Sequence, residues 1–153
     1  MLPNSYQDRF QQMMSLKLVG LRKESADKYF KASADAARRG KVSPASTAGL
    51  RNQLDVHLVE KSITAVVELQ RELISGLEIP FCDTLATELK HQVKAYVSTD
   101  WCEELHKMNI HGISKKYADR LKEELSVNRD FFLKRAEAQI DCFVDTLRIK
   151  QRG

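Results

Sequence analysis

Residues 43–80 read SPASTAGLRNQLDVHLVEKSITAVVELQRELISGLEIP, and this stretch decides the fold. It opens on Ser43 and Pro44, a hydroxyl that can cap a helix and an imide suited to the first helical position. Leu50, Leu54, Leu58, Ala65, Leu69, Leu73 and Leu77 recur at helical spacing, widened by Ile63, Val66, Val67 and Ile74. Gly76 and the Ile79-Pro80 pair close the segment, because a residue before proline resists the helical region. This is the most apolar helix of the chain, and its expected place is deepest in the core.

Working outward, Asn4 to Arg39 carries Phe10, Met14, Leu18, Leu21, Tyr29, Ala32 and Ala36 on one stripe, with Ser5 as its expected N-cap and Gly40 as its stop. Gly20 lies inside that segment and suggests close packing or a bend. From Pro80 to about Asn109 the stripe is Leu85, Leu89, Val93 and Tyr96 or Val97. Ser98-Thr99-Asp100 then offers caps, Asp100 and Glu103 approximate a capping box, and Trp101, Leu105 and Met108 resume the pattern. The last segment starts after Gly112 with Ser114 as cap and continues to about Lys150, along Ala118, Leu121, Leu125, Phe132, Ala136, Ile140, Phe143 and Leu147.

Segments of about 35 residues span about 52 Å each, and connections of a few residues force sequential helices to run antiparallel. The expected architecture is an all-α, up-down-up-down four-helix bundle with long helices, its third helix broken near 98–100. A single domain over 1–153 accounts for the length. Dimerising helical hairpins are the main competing arrangement.

Composition narrows the function classes. Of 153 residues 42% are hydrophobic and 30% charged, too apolar for disorder. With 6 Gly and 3 Pro, and neither GxGxxG nor GxxxxGK, no dinucleotide or phosphate loop is present. No apolar run approaches a membrane span, and no apolar signal region opens the chain, so no membrane association is expected. Three spaced cysteines without CxxC fit a reducing, cytoplasmic setting.

Charge is uneven. Residues 1–43 hold 9 Lys/Arg against 4 Asp/Glu and 113–153 hold 10 against 7, while 44–112 hold 6 against 10. In a simple bundle the first and last helices are neighbours, so a basic side is expected. Arg22, Lys23, Arg38, Arg39, Lys41, Lys115, Lys116 and Arg120 are its candidate phosphate contacts, giving nucleic-acid binding as an alternative function.

Several constellations could carry chemistry. Glu88/His91 and Glu103/His106 have the Glu-x-x-His spacing of di-iron bundles, but both lie in one segment and lack opposing partners. Cys102, His106 and His111 offer three zinc-type ligands without a fourth. No metal and no cofactor is expected. Arg51-Asn52-Gln53-Leu54-Asp55-Val56-His57 resembles the Arg-x(4–6)-His motif of the HEPN superfamily, all-helical domains many of which are ribonucleases. The resemblance covers these seven residues. It implies His57 as acid/base and Arg51 as the phosphate-stabilising group of a metal-independent ribonuclease site completed by a second subunit. On a regular helix, however, six residues turn the two side chains about 120° apart.

With no convergent polar constellation, the expected function is a non-enzymatic helical interaction module that binds a protein partner or itself. Met13, Met14, Trp101, Phe131 and Phe132 are the candidate contacts, because Met and aromatic residues are enriched at interfaces.

Overall fold

A computed structural model describes residues 2–152. It is 84% helical, without strands among the described residues, and forms a four-helix bundle. The helices are α1 (Asn4–Arg38), α2 (Pro44–Gly76), α3 (Leu85–Tyr96), α4 (Thr99–Lys107) and α5 (Lys115–Arg152). Helices α3 and α4 together form the third arm, bent by 16° at their junction. Among the described residues no helix is long and apolar enough to cross a membrane.

Local chemistry explains the helix ends. Ser43 Oγ accepts from the Ser46 amide at 3.1 Å and Ser46 Oγ accepts from the Ser43 amide at 3.1 Å, a reciprocal box that satisfies two otherwise orphaned donors. At the break, Ser98 Oγ accepts from the Trp101 amide at 3.2 Å. Arg129 of α5 donates through Nε to the Val97 carbonyl at 2.7 Å, so a side chain from another helix satisfies an acceptor left at the end of α3. Three expected starts differ. α1 begins at Asn4, one residue ahead of Ser5, with Pro3 before it and no side-chain cap. Of the caps offered by Ser98-Thr99-Asp100, Ser98 is the one that opens α4, so the box of Asp100 and Glu103 is not the one used. α3 begins at Leu85 rather than Pro80, because 77–84 is occupied by the end of α2 and the crossing to the third arm.

Helix α2 is the hub and packs against α1, α3 and α5. One line along it, Ala48, Asn52, Asp55, Val59, Ser62, Val66, Gln70 and Leu73, is buried throughout. A helix buried this widely must be covered on several sides, and α5 supplies one of them. Arg135 reaches Glu60, and Arg71 lies over the Phe143 ring, so α5 runs parallel to α2. Lys90–Asp141 and Lys94–Glu137 ion pairs show α5 antiparallel to α3. Helix α1 lies antiparallel to α2, joined by Lys61–Glu24 at 2.8 Å. It reaches α3 through the Tyr6 hydroxyl, which donates to Gln92 Oε1 at 2.8 Å.

This arrangement corrects the expectation that the first and last helices are neighbours. Among the described residues no hydrogen bond, ion pair or ring contact joins α1 to α5. The demand of α2 for apolar cover overrides the simple circular order, and the two basic helices flank it separately.

Candidate functional site

Gln70 lies in the interior and donates to the Leu89 carbonyl and to Gln92 Oε1, both at 3.0 Å. With Tyr6 this network fixes α1, α2 and α3 in one register. Further up α2, Asn52 is only 1% exposed, yet neither atom of its amide has a hydrogen-bond partner. Asp55 is buried one turn on. Burial raises its carboxyl to about 7, against a smaller opposing effect of Arg51.

Across the interior, Cys102 and His106 of α4 and Asn109 just beyond it are also buried. Asn109 Nδ2 donates to the Ala48 carbonyl at 2.8 Å. Burial pushes the Cys102 thiol up; Arg129 opposes this, while Asp130 and Asp55 add to it. Burial and Lys122 hold His106 below the ordinary imidazole range, with Asp119 opposing, and its Nδ1 has no partner. A polar seam thus crosses the bundle where the continuous apolar core ends, at Val59 on α2 and Leu125 on α5. Reading α2 along its leucines missed this seam. Its signal was present in the i, i+3 and i+4 line through Ala48, Asn52, Asp55, Val59 and Ser62.

The HEPN-like pair does not share a cleft within one protomer. Arg51 lies over the Tyr29 ring, 4.8 Å from its centroid, beside a cleft of about 480 Å³ that also meets Asn109 and His111. His57 sits about two turns along, in a separate hollow with Leu21, Glu24 and Lys61. Of the Glu-x-x-His pairs, Glu88 and His91 are on α3 and Glu103 and His106 on α4. Among the described residues no group of three His, Cys, Asp or Glu side chains has metal-holding geometry.

The candidate contact residues divide. Met14 and Phe132 belong to the core, because each falls on the inward stripe of its helix, and packing uses them there. Trp101 is half-buried, with the Arg22 guanidinium 6.0 Å from its ring. Met13 and Phe131 are exposed, one on α1 and the other on α5. What the sequence stripe left out is the rest of the outer face of α1, where Leu16 is 77% exposed, Val19 66% and Phe30 69%. These residues sit between the core positions of α1, and only its exposed apolar content identifies them.

The basic residues are partly brought together. α1 ends, α2 begins, α4 ends and α5 begins at one end of the bundle. There Gly112 packs against Pro44, and the Tyr117 hydroxyl donates to the Ala45 carbonyl at 3.3 Å. This places Arg38, Arg39 and Lys41 at the same end as Lys115, Lys116 and Arg120, all exposed. Arg22 and Lys23 lie farther down α1 and do not join them.

The fold defines a class, the all-α bundle, and no more than that. Compared with known protein families, with functionally curated proteins and with solved structures, the chain matches none.

Proposed function

We propose that this protein is an interaction module that docks a partner on the outer face of α1. The observation that carries this is the outward exposure of Met13, Leu16 and Val19, with Phe30 farther along, on a helix whose own buried residues stop at Met14. Apolar side chains gathered on one outer face are an unfavourable solvent surface and mark an interface. Leu16→Glu places a charge in that face without touching the core. Proteins cross-linked to the wild-type chain in its native cell, including further copies of itself, are expected to be lost from the variant. A variant of unchanged circular dichroism that keeps every cross-link would end this reading.

A second reading, phosphate-led nucleic-acid binding, is favoured by the convergence of Arg38, Arg39 and Lys41 with Lys115, Lys116 and Arg120. Such binding releases counterions and weakens steeply with salt, with a log–log slope of about −0.9 per neutralised phosphate on duplex DNA. Fluorescence anisotropy with labelled DNA and RNA should show binding at about 50 mM salt that falls on going to 200 mM. Lys115→Ala with Lys116→Ala should reduce both affinity and slope. No binding at the lower salt sinks it.

A further inference from the structure

Resting on the docking role of α1, we infer that its occupant is the same helix of a second copy, packed antiparallel about a two-fold axis that crosses the outer face midway between Leu16 and Gly20. One exposed line along α1 is Arg9, Met13, Leu16, Gly20, Lys23 and Asp27, spaced alternately by four and three. An antiparallel mate centred there sets Arg9 against Asp27 of the second copy, and Asp27 against its Arg9. The same operation brings Leu16 over Gly20 twice and lays the Met13 side chain along the Lys23 stem. Among the described residues neither Arg9 nor Asp27 has an ion-pair partner within the protomer.

Gly20 completes the fit. Nothing stands within 4 Å of the position a Cβ would occupy, so it serves no close contact inside the protomer, yet it sits in mid-helix where glycine costs about 1 kcal/mol against alanine. A missing Cβ lets another backbone approach, and Leu16 is the side chain the two-fold supplies. A parallel pairing fails on charge, because it opposes Arg9 to Arg9 and Lys23 to Lys23. A two-fold pairing of one patch with itself is also the commonest form of self-association.

Sedimentation equilibrium of the full chain tests this. The expected wild-type mass at high micromolar concentration is twice 17.5 kDa. Gly20→Gln, which favours the helix but fills the contact, should sediment as one chain with unchanged helicity. Arg9→Asp and Asp27→Arg should each weaken association by about tenfold, the range open to two charge pairs, and the double variant should recover it. Recovery by the double variant is the signature of this register. A wild-type mass of 17.5 kDa throughout, or a dimer indifferent to Gly20→Gln and to the charge exchanges, overturns the proposal. If the chain is monomeric and Leu16→Glu still loses a different protein, the docking role survives without self-pairing. If it loses nothing, both fall.

Discussion

Asp55 carries a carboxyl into the interior of α2, one turn from an equally buried and unpartnered Asn52. Unfolded, this group ionises near its usual 3.8; folded, burial lifts it to about 7. Between those values the unfolded chain releases a proton that the folded chain keeps, so stability from this group falls as pH rises from about 4 to about 7 and then levels off. Asp55→Asn removes the titration and leaves a neutral group of the same shape. It should raise the melting temperature at pH 8, by an amount corresponding to about 1–3 kcal/mol, and have little effect near pH 4. Thermal melts of both proteins at the two pH values check this, and a variant less stable at pH 8 would show that the carboxylate is satisfied. The titration of His106 runs oppositely, since a lowered imidazole loses stability as pH falls, so the difference between the two proteins, rather than the wild-type curve, isolates Asp55.

At the scale of elements, the ends that were legible in the sequence are those where one side chain does one physical job. Ser43 and Pro44 open α2, and Ser114 Oγ accepts from the Tyr117 amide at 3.3 Å to open α5. Gly40, at φ 66°, closes α1, with the Lys41 amide bonded to the Ala36 carbonyl and the Gly40 amide to that of Ala37. The end of α2 repeats the same pair of bonds, Ile79 to Ile74 and Glu78 to Ser75, but sets Glu78 at φ 52°. A glutamate gives no sequence signal for that conformation, which costs a residue with a Cβ about 1–2 kcal/mol. Gly76 is the last residue of the helix, in line with its sequence signal, while the positive-φ turn falls two residues later. The buried Ile74 and Ile79 hold the turn in place of glycine's freedom. The candidate contacts were legible only in part for a related reason. Residue type made Met14 and Phe132 interface candidates, but the inward or outward phase of each helix decides burial, and α5 took its phase from three neighbours, α2, α3 and α4.

Across the whole molecule, the apolar core and the polar seam divide the bundle lengthwise. Below the seam, Val59 to Leu73 of α2 and Leu125 to Val144 of α5 share one continuous core with α3 and the start of α1. Above it, Ala48, Ala118 and Leu121 are buried but lie outside that core, and α1 beyond Met14 has no buried residue, being held by half-buried side chains such as Leu21 and Tyr29 and by the Lys61–Glu24 pair. Few buried apolar contacts mean low local opening energies, so the basic end should open independently of the rest. Amide hydrogen exchange of the dilute protein should therefore be slowest at 59–74 and 125–144. Exchange at 20–38 and 44–52 should correspond to opening energies at least about 2 kcal/mol lower. Uniform exchange along α2 would mean that the seam does not weaken the upper half. The measurement also separates the two surfaces of the molecule. Pairing through Arg9 to Asp27 adds protection along α1 as protein concentration rises, because only the associated state shields that face. Phosphate-rich ligands at the basic end instead protect 38–52 and 113–121 at fixed concentration. An α1 whose exchange ignores concentration while the basic end slows with nucleic acid would favour the basic end as the working surface.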